Sequence, residues 1–93
     1  MYNPLLDTFV LVTDCGSFTK AAERMYLSPT AVMKQMNTLE THLNLKLIER
    51  TPAGIRLTPA GEMIYRDAKF LMDYSKKSIA AAHETAHTYD KTF

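Results

Sequence analysis

A chain of 93 residues has room for one small domain, and a domain of that size buries a modest share of its surface, so a partner subunit would add stability. With 46% hydrophobic and 23% charged residues the composition is globular, which excludes a disordered segment; no apolar run reaches the ~20 residues of a membrane-spanning helix. The formal net charge is +1, and its distribution says more than its size. Between Gly16 and Thr58 the bases Lys20, Arg24, Lys34, Lys46, Arg50 and Arg56 outnumber the acids Glu23, Glu40 and Glu49, whereas acids outnumber bases elsewhere. An anionic partner is therefore expected against the middle of the chain. Met1-Tyr2-Asn3-Pro4 has neither the basic flank nor the apolar core of a signal peptide. The lone cysteine, Cys15, cannot form an internal disulfide, so a reducing cytoplasm is the expected location. At a helix end it reads as a small buried hydrophobe and not as a redox sensor.

Asn3-Pro4 is a cap followed by proline in the first helical turn, where its missing N–H costs nothing. Leu6, Phe9, Val10 and Thr13 recur at i, i+3, i+4 and i+7 and mark one face of a helix that Gly16 ends. Ser17 caps a second, short helix on which Phe18, Ala21, Ala22 and Met25 repeat that spacing. Its alanines are small enough to let another helix cross closely. Only Tyr26 and Leu27 precede the next start, Ser28-Pro29, behind which Val32, Met36, Leu39 and Leu43 form an apolar stripe closed by Asn44. Two helices joined by so short a turn must cross steeply, which is the helix-turn-helix arrangement, over about residues 18–37.

Leu45 to Arg50 and Ile55 to Leu57 are candidate strands, and Thr51-Pro52-Ala53-Gly54 is the turn between them. The pair makes a small hairpin, a wing. Thr58-Pro59 is a third cap-plus-proline start, and no breaker follows Gly61. A helix from about Pro59 to about His87 would be roughly 40 Å long, too long to pack only on so small a domain. The expected fold is mainly α, a winged helix-turn-helix with a three-helix core plus a two-stranded wing over residues 1–58. A long linker and dimerisation helix over 59–88 and a tail over 89–93 complete it.

The apolar stripe of the third helix decides which residues face away from the core: Thr30, Met33, Lys34, Asn37 and Thr41. A helix docked in the major groove needs hydrogen-bonding side chains, a cation, and something apolar for a thymine methyl, and this face supplies all three. Ser28 and the first-turn N–H groups are placed to meet a backbone phosphate, as are Lys20 and Arg24 on the crossing helix. On the last helix Ile64, Ala68, Leu71, Ser75, Ser78 and Ala82 alternate by three and four, a seam suited to the same helix of a second copy. Met63, Phe70, Met72, Tyr74 and Ile79 lie on other faces of that helix.

These residues carry a family resemblance. Phe9-Val10, Val12, the run Gly16 to Met25, Ser28 to Gln35, Leu39-Glu40, Leu43, Leu47 to Thr51 and Arg56 to Gly61 resemble, in order and spacing, the DNA-binding domain of LysR-type transcriptional regulators. The resemblance covers about Leu5 to Gly61. It implies a cytoplasmic bacterial regulator, associated with the nucleoid when bound, that holds a partially palindromic double-stranded operator as a homodimer. A tetramer is a further assembly open to the full-length protein. No cofactor is implied for this chain, and a small-molecule effector is expected only for a C-terminal domain that lies outside it. The DNA-contacting set carried over is Lys20, Ser28, Pro29, Thr30, Met33, Lys34, Asn37, Arg50, Thr51 and Arg56. Three positions depart from the family pattern: Pro29-Thr30 stands for its usual glutamine–proline, Met33 for its usual serine, and Ala53 for a frequent basic residue at the wing tip.

His83-Glu84-Thr85-Ala86-His87 fits the zinc-protease pattern H-E-x-x-H, two histidines one helical turn apart with a glutamate as base. A catalytic zinc also needs a third ligand, a cleft and orienting partners. Six residues follow, with Asp90 the one ligand type among them. The expected role is therefore not enzymatic. A metal-dependent hydrolase and a protein-binding winged helix are the alternatives, and salt-dependent binding to duplex DNA separates both from a DNA-binding module.

Overall fold

A computed structural model describes residues 3–92, with side chains through Tyr89. Its elements in chain order are α1 (Leu5–Cys15), α2 (Phe18–Met25), α3 (Pro29–Leu43), β1 (Ile48–Thr51), β2 (Gly54–Leu57) and α4 (Pro59–Thr92). Local chemistry sets most of these boundaries. The Asn3 carboxamide oxygen accepts the Leu5 N–H at 2.9 Å while Pro4 already has helical angles (φ −57°). The Ser17 hydroxyl accepts the Lys20 N–H at 3.3 Å, and the Ser28 hydroxyl accepts the Ala31 N–H at 3.1 Å. Each helix of the trio ends on a left-handed residue, Gly16, Tyr26 and Asn44 in turn. The glycine and the asparagine were legible as exits. Tyr26 was not.

The three helices close around Phe9, Val12, Ala21, Ala22, Val32, Met36 and Leu39, joined from the wing side by Leu47 and Ile48. Cys15 is half-buried and packs on this cluster as a small hydrophobe. A buried hydroxyl, Thr8, donates to the Gln35 side-chain oxygen at 2.7 Å and ties α1 to α3. Strands β1 and β2 are antiparallel, with Ile48 opposite Leu57 and Thr51 opposite Gly54, so Pro52-Ala53 forms the tip.

Strand β1 starts at Ile48, three residues later than the sequence suggested, because a side chain occupies the amides that a longer ladder would use. The Glu40 carboxylate accepts the Leu47 N–H at 2.6 Å and the Ile48 N–H at 3.3 Å. From the other side, Thr58 donates its N–H to the Leu47 carbonyl at 3.0 Å and its hydroxyl to the Lys46 carbonyl at 2.6 Å. That hydroxyl also accepts the Gly61 N–H at 3.0 Å, which caps α4. Gly61 lies so close to Leu47 that a Cβ there would enter the carbonyl oxygen and sit 3.2 Å from the Leu47 Cα.

Helix α4 continues through Thr92 instead of ending near His87, since Thr88 to Thr92 contains neither proline nor glycine. Ile64 and Tyr65 pack against the core, and Ala68 is 2% exposed. The Phe9 and Tyr65 rings meet edge to face, 6.4 Å between centroids. Tyr65 donates its hydroxyl to Asp14, whose other oxygen is 3.7 Å from the Lys69 ammonium. Of the expected seam, Ala68 is buried within the domain and Ile64 is half-buried against its core, whereas Leu71, Ser75, Ser78 and Ala82 are exposed. From Asp73 to Tyr89 every residue is exposed, and the molecule measures 60 × 27 × 22 Å. No described helix is long and apolar enough to cross a membrane.

Gly61→Ala tests the α4 junction by sign. Helix propensity alone would make it stabilising by up to about 1 kcal/mol. Collision with Leu47 instead predicts a loss of roughly 1–3 kcal/mol in urea unfolding. The Tyr65 contact predicts a pH dependence. Its hydroxyl is raised from the ordinary 10.0 mainly by the hydrogen bond to Asp14, with burial and the Asp14 charge adding to it. A folded value above the unfolded one means the contribution is intact below the ordinary tyrosine range and lost as pH rises through the raised value. Thermal melts above pH 10.0 should therefore fall more steeply for the parent than for Tyr65→Phe. Parallel curves would remove the hydrogen bond's role.

Candidate nucleic-acid interface

The site is built on α3. Val32, Met36 and Leu39 are buried, and this fixes the rotation of the helix, leaving Thr30, Lys34, Asn37 and Thr41 exposed on the opposite side. Met33 lies half-buried on the flank of that face. Thr38, also on the outer half, donates its hydroxyl back to the Lys34 carbonyl at 2.9 Å and is occupied. His42 is exposed in the last turn. The expected residues Thr30, Lys34 and Asn37 thus share one open face, with Met33 at its edge.

The N-terminal end of α3 is less open than its sequence implied. Pro29 has no N–H, and the Ser28 hydroxyl takes that of Ala31, so among the described residues Thr30 holds the free first-turn donor. Ser28 still has its hydroxyl proton to donate. Lys20 and Arg24 are exposed on α2, and among the described residues neither they nor Lys34 enter an ion pair. Among the described residues, three cations on α2 and α3 therefore lack an ion-pair partner and one first-turn N–H of α3 lacks an acceptor.

The wing differs. Arg56 pairs with Glu49 across the hairpin at 2.8 Å, and the Arg50 guanidinium lies 5.3 Å from the centroid of the Phe18 ring. Thr51 donates its hydroxyl to the Gly54 carbonyl at 3.3 Å and is half-buried. Each of the three expected wing residues has a partner inside the chain, and the exposed tip, Pro52-Ala53, carries no charge. The Arg50 contact instead steers the wing onto α2, a role its place in the sequence did not reveal.

Tyr26 lies outside the set of residues expected from the sequence. It occupies the turn between α2 and α3 at φ 57°, and it is 94% exposed. A bulky residue one or two positions ahead of a serine-proline cap was the available signal.

Two features of α4 complete the inventory. Leu71, Ser75, Ser78 and Ile79 face Leu6 of α1 across an open, mostly apolar groove that continues the core-facing stripe along the helix. Ala82, the last seam residue, is exposed. His83, Glu84 and His87 are exposed as well, and the Asp90 side chain lies outside the described residues. Among the described residues no group of three or more His, Cys, Asp or Glu could hold a metal ion.

Comparison with known proteins places this arrangement. Residues 4–62 match the family described as "Bacterial regulatory helix-turn-helix protein, lysR family". The chain is 36% identical over 86 residues to the HTH-type transcriptional regulator CysL of Bacillus subtilis (strain 168), covering 89% of this chain and 29% of that protein. It is also 36% identical over 78 residues to the nitrogen assimilation regulatory protein nac of Escherichia coli (strain K12), covering 84% and 26%. It thus spans less than a third of the length of these relatives. The crystal structure of the BenM_DBD/catB site 1 DNA complex superposes with a TM-score of 0.85 at 28% identity, over 96% of each chain. That of the CbnR_DBD-DNA complex gives 0.79 at 31% identity, over 92% of this chain and 99% of the other. With a match of this extent behind its helices and wing, the chain belongs to the lysR family of bacterial regulatory helix-turn-helix proteins.

Proposed function

We propose that this chain is the DNA-binding module of a bacterial transcription regulator, acting in the cytoplasm without catalysis of its own. Helix α3 enters the major groove, and α4 pairs with the same helix of a second copy so that two modules meet a partially palindromic operator. The observation that carries the reading is the open Thr30/Lys34/Asn37 face, held in place by the buried Val32, Met36 and Leu39 behind it. The relatives solved with DNA, BenM and CbnR, support it.

Within this reading Lys34 takes a guanine edge or a phosphate, Thr30 and Asn37 offer hydrogen bonds, and Met33 offers an apolar edge. Lys20, Arg24, Ser28 and Pro29 line the phosphate side. Arg50, Thr51 and Arg56 have a secondary part, because each would first leave an internal partner. The unit 1–58 binds DNA, and 59–88 serves as linker and dimer helix through Leu71, Ser75, Ser78 and Ala82. A small-molecule effector belongs to the remaining length of the regulator, as does any association of pairs into a tetramer. His83 and His87 have no part in catalysis.

In an anisotropy titration against duplex DNA, Lys34→Ala should weaken binding by roughly 1–3 kcal/mol, with Arg56→Ala costing less. If Lys34 meets a phosphate, its loss also lowers the salt slope by about one. Unchanged affinity for Lys34→Ala would take it out of the interface, and salt-independent binding would favour a protein partner. For the pairing, Leu71→Asp should shift the mass in sedimentation velocity from dimer to monomer at micromolar concentration without lowering helicity. A parent chain that is already monomeric there would refute the α4 seam.

A further inference from the structure

Tyr26 is placed at a cost that no contact among the described residues offsets. At φ 57° and ψ 39° its backbone is left-handed, where the Cβ of any residue but glycine crowds the following carbonyl. The equivalent exits of α1 and α3 use Gly16 and Asn44, residues suited to that conformation. The ring does not stabilise the core in return, since Tyr26 is 94% exposed. A glycine would close α2 with less strain and the same two backbone hydrogen bonds, to the Ala22 and Glu23 carbonyls. What the tyrosine adds is a hydroxyl held outside the domain, two residues before the Ser28 cap.

Its neighbours say what that hydroxyl meets. Arg24, Ser28 and the Thr30 N–H flank the turn, all donors and all without an acceptor in the chain among the described residues. No acid lies between Glu23 and Glu40. A neutral donor beside a helix N-terminus, in a turn instead of on the outward face of α3, suits a phosphate oxygen better than a base edge. We propose that the Tyr26 hydroxyl donates a hydrogen bond to a DNA backbone phosphate, as a sequence-independent anchor beside the start of α3. The inference rests on the DNA-binding reading above.

The test needs no operator, because a phosphate anchor acts on any sequence. The parent chain, Tyr26→Phe and Tyr26→Gly are titrated against a short fluorescent duplex of arbitrary sequence over a range of salt. Both variants should bind about five- to tenfold more weakly. The salt slope should not change, because no cation is lost. Tyr26→Gly should also melt higher by about 4–8 °C as the left-handed strain is relieved. Weaker binding in a more stable protein cannot come from loss of fold. Tyr26→Phe binding as tightly as the parent overturns the anchor while leaving the DNA reading intact. A parent that binds no duplex removes the DNA reading and this inference with it.

Discussion

The arrangement depends on the backbone at Lys46–Ile48 being held from both sides at once. Glu40, from α3, accepts the Leu47 and Ile48 amides, and Thr58, from the start of α4, donates to the Lys46 and Leu47 carbonyls. Lys46 and Leu47 precede the first strand, so their polar groups lie outside its ladder, and Leu47 itself is fully buried. Unpaired amides and carbonyls at that depth cost about 1–3 kcal/mol each. Supplying both sets of partners from different helices solves this and sets geometry too. Helix α3, the wing and α4 are thereby referenced to one residue. Gly61 completes the junction, because only a residue without a side chain lets α4 start that close to Leu47.

The parts of this that were legible in the sequence are those whose chemistry is local. Ser17, Ser28 and Thr58 cap helices by bonds three residues long, and Gly16 and Asn44 end them by their own conformational preference. Apolar spacing placed Val32, Met36 and Leu39 inward and therefore Thr30, Lys34 and Asn37 outward. Illegible were the choices made by contact. Glu40 counts as one acid on a polar helix until the fold sets it, 13% exposed, against the amides of Leu47 and Ile48. Arg50 counts as a free cation until Phe18 lies under it. On α4 the period marks a stripe but cannot say how far along the helix its own domain stops and the open stretch starts, which the burial of Ala68 and the exposure of Leu71 set.

Charge in the middle of the chain is used in two ways. On α2 and α3 the lysines and arginine have no ion pair among the described residues, whereas on the wing they are engaged, Arg56 by Glu49 and Arg50 by the Phe18 ring. The wing pair is exposed and is worth at most about 1 kcal/mol, so it orders a short hairpin without binding Arg56 tightly. A two-stranded ribbon of four residues per strand is marginal by itself, and the Arg50 contact with α2 gives it a lateral brace. Fixed direction and modest affinity for internal partners are compatible. The exposed Glu49 carboxylate thus orders Arg56 without holding it tightly.

Helix α4 brings the two scales together. Its stripe is held to the domain at Ile64 and Ala68, and the same stripe runs on as Leu71, Ser75 and Ser78, with Ile79 beside it, beyond the end of the domain. Because a helix is rigid over this distance, whatever covers the second half of the stripe is oriented by whatever holds the first. The first half is held by the Leu47 junction, by the Phe9–Tyr65 ring contact and by Asp14 bridging Tyr65 and Lys69. A second copy docked on the outer half would therefore receive its angle from contacts made between residues 9 and 69 and not from the interface alone. The distance between two outward α3 faces in such a pair is then a property of the monomer's core. In the proposed dimer, changes at Asp14 or Gly61 would alter which half-site separation fits without touching the α3 face itself.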